Sequence, residues 1–546
     1  MSAPTGSRRA HLPSHQPAPP SAASSAAISA WRLATSASVS GGPGKRLRSA
    51  ANQTTADGGA HWRDVTPGAI GPFWKVSTID ASPHDRLTAY AAVNTLRLDD
   101  LRPHLYRTHD GGATWTEIVN GLDGAGPANA LREDPVKRGL LYAATERGVF
   151  VSFDDGDHWQ PLRLDLPATS MRDLVVKDDD LCVATHGRGF WILDDVTALR
   201  QLDAVAAPSA FTLFKPAPAW RVRWNMATDM PWPKEEPVME NPPDGAAIDY
   251  YLPAAAKGLV TLEILQADGR PVRRYSSGDT LAQPPDPSRA PVPTYWYRPP
   301  RGLSAAAGLH RFLWDVHYQR LPGIPGALSG GGSGLSFGAI PRNTPPPPTT
   351  PWAGTGTYAV RLTVDGKSCT QPISVKLDPR VKTPATTMRE IYALSASLYY
   401  GAAEAQGAVA ELVRLRGQVG SLAARASGDA ARALAAFAQR ADSLRGLDTT
   451  RAARAGGGFS AGPEGTGRTP PFVPGSLSAA AQELTQVMNS LQAADVPPTA
   501  VRRAAIAEAQ RNAAAAMVRW RALKMTELAR LNARLKRAGL AEVGVR

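Results

Sequence analysis

The pattern of hydrophobic and polar positions changes along the chain. Up to about residue 200, short apolar runs alternate with Gly and Asp, among them TAYAAV (88–93), GLLYAAT (139–145), GVFVSF (148–153) and LCVAT (181–185). Runs of this length between turn-forming residues are typical of β-strands. From residue 384 the apolar positions recur at helical spacing instead. The chain is therefore predicted to be mainly β with an α-helical C-terminal region.

The β-rich part contains a repeat that ends in a short box with Ser or Thr, Asp, Gly and Trp in fixed order. Its tryptophans are separated by fifty-three and forty-four residues. A repeat of this length with four short strands has the size of a propeller blade. After a fourth, degenerate copy ending in ILDD (192–195), the pattern stops. The three boxes consist of Thr55, Asp57, Gly59 and Trp62; Thr108, Asp110, Gly112 and Trp115; and Ser152, Asp154, Gly156 and Trp159.

Each box has the composition of a hairpin turn. An Asp accepts backbone N–H bonds across the turn, Ser or Thr adds a second local bond, and Gly supplies a positive φ. The Trp then packs its large face on a neighbouring strand. We predict a structural role for the three aspartates and not a catalytic one.

The boxes resemble the Asp boxes, or BNR repeats, of sialidases and sortilin-type propellers. The run that contains THDGGATW (108–115), VFVSFDDGDHW (149–159) and ATHGRGFWILDDVTALRQL (184–202) is similar to the end of the propeller in large bacterial BNR-repeat proteins of the sortilin-like group. The resemblance covers about residues 54–200. It implies a protein or peptide ligand and an exported or cell-envelope location, although such proteins are often labelled glycosyl hydrolases.

The repeats supply only about three to four blades, fewer than the propellers they resemble. An open arc would expose blade faces and edges. We therefore expect a truncated form of a larger exported protein, with residues 1–53 as a disordered, low-complexity leader, or an arc completed by self-assembly or by a partner chain. No signal peptide is recognisable, so the sequence leaves the compartment open.

Downstream of residues 54–205, the predicted propeller blades, two further regions are expected. Alternating strands between 206 and 380 indicate an immunoglobulin- or fibronectin-like β-sandwich, interrupted by Pro- and Gly-rich insertions at 282–300 and 323–351. Residues 381–546 carry four amphipathic helical patterns, which predict a helical bundle. Thr387 and Glu390 have the spacing of a capping box at its start.

Charge and cysteine content exclude several classes of function. The net charge is +13, but six basic and no acidic residues lie in 1–56, and eleven basic against three acidic in the last fifty. Without interleaved aromatic residues, these basic segments do not predict nucleic-acid binding. Two distant cysteines give no disulfide framework. We expect no metal, no cofactor and no membrane span.

One cluster has the side chains that catalysis requires. His186 and Arg188 lie among glycines, and Asp194 and Asp195 follow within ten residues. Glycines let backbone approach a ligand, but a turn with Arg188 paired to an aspartate explains the same residues. We favour a non-catalytic, protein- or peptide-binding scaffold. A glycoside hydrolase that acts on polysaccharide stays the alternative if these four residues converge, and a decayed or mis-started gene stays a third.

Overall fold

The computed structural model describes residues 30–34, 51–55, 57, 59–202, 210–223, 245–281, 286, 288, 302–321, 350–446 and 473–544. Most of the predicted leader and of the two Pro- and Gly-rich insertions lies outside this part of the chain. The chain forms two compact units, Met1–Val196 with Leu202–Val205, and Thr197–Gln201 with Ala206–Arg546.

The first unit consists of four consecutive antiparallel sheets. Within each sheet the strands are neighbours in the order of the chain, as in a meander. Sheet 1 contains β1 (Ala30–Ala34), β2 (Ala51–Thr55) and β3 (Arg63–Asp64); sheet 2, β4 (Lys75–Ala81), β5 (Ala89–Asn94), β6 (His104–Thr108) and β7 (Thr116–Glu117); sheet 3, β8 (Ala128–Glu133), β9 (Leu141–Thr145), β10 (Val149–Ser152) and β11 (Gln160–Pro161); sheet 4, β12 (Met171–Lys177), β13 (Asp180–Thr185) and β14 (Phe190–Leu193).

The sheets stack face to face like blades. The first strands of sheets 2, 3 and 4 lie side by side, and apolar side chains fill the layer between sheets 2 and 3. Tyr90, Leu105, Leu131 and Trp159 are buried together there. Strand β1 lies within residues 1–53, where the sequence predicts only leader, and pairs with β2 from Ala30↔Thr55 onward.

The second unit begins with two facing sheets. Trp314 contacts Tyr358 and Phe312 contacts Tyr275 edge-on across the two layers, as inward-facing residues of a sandwich do. One sheet is β15 (Thr212–Leu213), β17 (Ala246–Leu252) and β20 (Gly308–Trp314); the other is β16 (Ala219–Arg221), β22 (Lys367–Leu377), β21 (Gly356–Val364), β18 (Thr261–Leu265) and β19 (Pro271–Ser276). Only β16 and β22 pair in parallel among these described strands.

Helices follow the sandwich and share its hydrophobic core. They are α1 (Ala385–Ala423), α2 (Gly428–Arg445), α3 (Leu477–Leu491), α4 (Ala500–Ala522) and α5 (Leu528–Arg537), with a π-helical turn, Leu523–Glu527, joining the last two into one rod. The predicted capping box is wrong: α1 begins at Ala385, so Thr387 lies inside the helix, and Glu390 pairs with Arg503 on α4. No described helix is long and apolar enough to cross a membrane.

The predicted fold class is confirmed: stacked blade-like sheets, a β-sandwich and a helical region follow one another as the hydrophobic patterns indicate. The domain boundaries at residues 205 and 380 stay predictions. Because sandwich and helices share a core, apolar side chains on both elements stabilise one another in the second unit.

Candidate functional site

The second and third Asp boxes form hairpin turns between the third and fourth strands of sheets 2 and 3, and the first box forms the turn between β2 and β3 of sheet 1. In the second box, the Thr108 hydroxyl donates to Asp110 at 2.8 Å and accepts from the Gly112 N–H at 3.0 Å. Asp110 also accepts from the Thr114 N–H at 2.9 Å and its hydroxyl at 2.6 Å. These bonds hold the pKa of Asp110 down, at about 2. The carboxylate is fully used in closing its own turn.

The other two boxes repeat this geometry with a histidine in place of Thr114. Thr55 donates to Asp57 at 2.7 Å and Ser152 to Asp154 at 2.8 Å. In each, the aspartate's second oxygen contacts Nδ1 of the histidine four residues on, at 2.6 Å for His61 and 2.7 Å for His158. In the first box, hydrogen bonds, above all the one from the His61 N–H, hold the pKa of Asp57 well below its usual range.

In the second and third boxes, the tryptophan and the box glycine, Gly112 or Gly156, contact residues at the end of the preceding sheet. Trp115 donates its indole N–H to the Val65 carbonyl at 2.7 Å, and Trp159 donates to the Ile118 carbonyl at 2.9 Å. A Cβ on Gly112 would lie 2.6 Å from the Cβ of Val65. These contacts join the second box to the end of sheet 1 and the third box to the end of sheet 2.

The four catalytic candidates do not converge. His186 and Arg188 lie in the turn before β14, while Asp194 and Asp195 follow the other end of that strand. Four strand residues span roughly 13 Å, at about 3.3 Å each. Both side chains of the turn are exposed, and Thr185 closes it by donating to the Gly189 carbonyl at 2.6 Å.

Part of the turn interpretation needs correction. Gly187 and Gly189 adopt positive φ, 77° and 73°, as a tight turn requires. Arg188, however, makes no ion pair with any described residue, where the sequence predicted pairing with an aspartate. At the far end of β14, the Asp195 N–H donates to the Asp180 carboxylate at 2.9 Å, which secures the exit from sheet 4.

The structure brings together a different charged cluster, on the adjacent first strands of three sheets. Arg132 on β8 lies 3.8 Å from the Asp80 carboxylate on β4 and 3.2 Å from the Asp173 carboxylate on β12. Asp80 also accepts from the Glu133 N–H at 2.9 Å. We call Asp80, Arg132 and Asp173 the inner cluster. Arg132 is 52 positions (132 − 80) from Asp80 and 41 from Asp173, so the chain carries no local signal for this cluster.

Burial changes the chemistry of one member of the inner cluster. The Asp80 side chain is 22% exposed, and burial raises its pKa to about 6, against the opposing hydrogen bond from the Glu133 N–H and the charge of Arg132. A carboxyl with a pKa near neutrality can hold or release a proton at physiological pH. No group of described His, Cys, Asp and Glu side chains is arranged to hold a metal ion.

A second set of hydrogen bonds connects sheets 3 and 4 beside the inner cluster, where Arg172 precedes Asp173. The Asn129 amide donates to Glu146 at 3.0 Å and to the Met171 carbonyl at 3.0 Å. Arg172 donates to the same Glu146 carboxylate at 3.0 Å. Sheets 3 and 4 are thus joined by buried and half-buried hydrogen bonds, and Glu146 is neutralised by an arginine.

One face of sheet 4 is exposed and carries a row of apolar side chains beside charged ones, since Asp173 lies opposite Ala184 and Lys177 opposite Asp180 on the same side. Antiparallel pairing places Val175, Cys182 and Ile192 opposite one another, and Ala184 opposite Phe190. Facing cross-strand partners project to the same side. The exposed fractions are 69% for Phe190, 51% for Val175 and 43% for Ile192. We call these five residues the open face.

No protein-family model matches this sequence, and no curated protein matches it either. Among solved structures, the chain is similar to YCF48 bound to D1 peptide, with 17% identity over 27% of this chain and 45% of that one, and a TM-score of 0.22. It is also similar to a GH74 xyloglucanase from Xanthomonas campestris (14% identity, 62% of each chain, TM-score 0.18) and to an ancestral GH74 enzyme (12%, 57% of this chain and 43% of that one, 0.21). The chain thus spans less than half the length of the YCF48 structure it matches.

Proposed function

We propose that this chain is a non-catalytic protein- or peptide-binding scaffold whose binding surface is the open face of sheet 4. The observation that carries the proposal is the exposure of Val175, Phe190 and Ile192 on one side of a regular sheet. Contiguous exposed apolar side chains of this kind mark interaction surfaces.

An extended polypeptide is the ligand that this surface fits best. Strand β14 is paired with β13 on one edge and with no other described strand. Its free backbone groups can pair with an added strand, while Phe190 and Ile192 contact alternate side chains of that strand.

Several carboxylates of the first unit are already engaged in structural contacts, which favours binding over catalysis. Those of the Asp boxes close their own turns, and Glu146 is paired with Arg172. The turn that holds Arg188 lies roughly 13 Å from Asp194, the length of strand β14. Hydrolysis needs two carboxyl groups about 5–9 Å apart across one bond.

Selection from a displayed peptide library tests the proposal. Peptides enriched on the full chain are expected to lose binding to the double variant Phe190→Ser, Ile192→Ser. The matched control is Val501→Ser, which removes an apolar side chain on α4 that is even more exposed, at 81%. Equal binding to all three proteins would contradict the proposal, provided that circular dichroism confirms that each is folded.

Light scattering on the same proteins tests the prediction that a second copy completes the arc. An oligomer of the full chain that becomes monomeric in the Phe190→Ser, Ile192→Ser variant would make the open face a surface for self-assembly. A monomer at every concentration would leave an exogenous polypeptide as its ligand.

A glycoside hydrolase is the second candidate, favoured by one observation. Asp80, whose pKa is raised to about 6 by burial, and Asp173 contact opposite nitrogens of the same guanidinium. A carboxyl group with a raised pKa beside a second carboxyl group is what a general acid and its partner need. Release of reducing sugar from polysaccharides by the full chain, abolished in Asp80→Asn, would support hydrolysis and overturn the binding proposal.

A further inference from the structure

The second unit contains a small cavity between the sandwich and α1 that is lined by three arginines. Its volume is about 40 Å³. Arg221, Arg223 and Arg389 line it, and none of its lining residues, all of them described, is acidic. Trp352 and Ser395 are among the other lining residues that carry polar hydrogens.

Two of the arginines are fixed by one carboxylate. Arg221 donates to Oδ1 of Asp495 at 2.6 Å, and Arg223 donates to the same oxygen at 3.0 Å. Arg221 and Asp495 are each only 7% exposed. Both guanidinium groups also lie over the Trp352 ring, 5.5 and 5.9 Å from its centroid. The arginines are therefore held in place before any ligand arrives.

One carboxylate does not neutralise these groups. Two fixed guanidinium charges face Asp495, and Arg389 adds a third at the rim, since the neighbouring Glu390 pairs with Arg503 instead. Arginines stay protonated even when buried. An excess positive charge in a half-enclosed site attracts an anion strongly because little water screens it.

Several buried donors around the cavity also have no hydrogen-bond partner. They are Nε of Arg221, Nε of Arg223, Nε1 of Trp352 and the Ser395 hydroxyl. Leaving a buried donor unsatisfied costs about 1–3 kcal/mol. A cluster of such donors at one cavity is what a binding site for an acceptor ligand presents.

We propose that this cavity binds a small carboxylate anion, held by Arg221 and Arg223 and closed off by Arg389. A guanidinium matches the planar geometry of a carboxylate. The volume of about 40 Å³ admits only a small group. Thr355 and Arg389 are exposed at the rim, so a solute can enter.

Titration of the full chain with ¹³C-labelled formate, followed by NMR, tests the proposal. Ionic strength is held constant with pivalate, a carboxylate whose branched carbon is too large for the cavity. Saturable formate binding is expected, weakened about tenfold or more in Arg223→Gln and in Arg389→Gln, because each loses a charge-assisted hydrogen bond. Arg188→Gln, an exposed arginine in the first unit, is the matched control.

Each outcome is decisive. Binding that is absent, or equal in wild type and both cavity variants, overturns the proposal. Phosphate that binds more tightly than formate at the same arginines overturns the carboxylate assignment. If Arg223→Gln does not fold, Arg389→Gln decides alone, because its side chain is exposed at the rim. The cavity is independent of the open face, so failure here leaves the proposed function untouched.

Discussion

Trp115 and Val65, fifty residues apart, are joined by a 2.7 Å hydrogen bond from the indole N–H to the backbone carbonyl. The bond fixes the second Asp box against the end of sheet 1. Trp159 and Ile118 repeat it between sheets 3 and 2 at 2.9 Å. The spacing that the second and third boxes share thus serves the stacking of the blades as well as the turn itself.

Substitution of Gly112 by Ala is expected to loosen this junction. The new Cβ would lie 2.6 Å from the Cβ of Val65, at a φ of +84°. Overpacking and the left-handed backbone together are expected to lower the free energy of unfolding by about 2–4 kcal/mol. Urea denaturation followed by tryptophan fluorescence measures the loss.

Gly187→Ala is the matched control for this prediction. Its φ is +77°, but nothing lies within 4 Å of the added Cβ, so only the backbone cost of about 1–2 kcal/mol is expected. Equal losses in both variants would mean that contact with Val65 contributes nothing.

The second Asp box is expected to contribute stability that is lost in acid. The pKa of Asp110 falls from 3.8 to about 2 on folding, through hydrogen bonds from Thr114. Its contribution is therefore present above pH 3.8 and is lost as the pH falls towards 2. The variant Asp110→Asn should show a flatter decline of unfolding free energy over this window. Urea denaturation between pH 5 and 2 measures it, and parallel curves for the two proteins would refute the assignment.

Asp80 is expected to lower the free energy of unfolding as the pH rises, the opposite of the effect of Asp110. Its pKa rises from 3.8 to about 6 on folding because of burial. The folded chain then binds more protons than the unfolded chain, so stability decreases as the pH rises from 4 to 6. We expect Asp80→Asn to remove about 1–3 kcal/mol of this decrease while its amide oxygen still accepts from the Glu133 N–H. A variant that retains the full decrease would assign it to another group.

Loss of Asp495 is expected to be costly in the second unit. Asp495→Ala leaves the buried Arg221 without its partner, together with Arg223. Uncompensated burial of a charge typically costs about 3–5 kcal/mol. Asp429→Ala is the control, since that exposed carboxylate lies 3.7 Å from Arg432 and from Arg534, and exposed pairs contribute about 1 kcal/mol or less. Comparable losses in thermal unfolding would contradict the buried pair's importance.

Some parts of the fold were readable from residues alone because their causes are local. In the Asp boxes, Thr108 bonds to residues two and four positions on, so a short pattern encodes the whole turn. The helix after residue 384 was equally visible from its period. The N-terminus of this helix was not visible from the sequence. Thr387 and Glu390 match a capping box, but Glu390 forms an ion pair with Arg503 in the folded chain.

By itself, the sequence determined the order of blade-like sheets, sandwich and helices. The structural role of the box aspartates stays a prediction. Only the tertiary structure decided which charged residues meet. Arg132 pairs with Asp80 and Asp173 through the neighbouring first strands of three sheets. Arg221 and Arg223 reach Asp495 across more than 270 positions. Periodicity encodes which side of an element faces a core, but not which distant element will cover it, and long-range ion pairs depend on the latter.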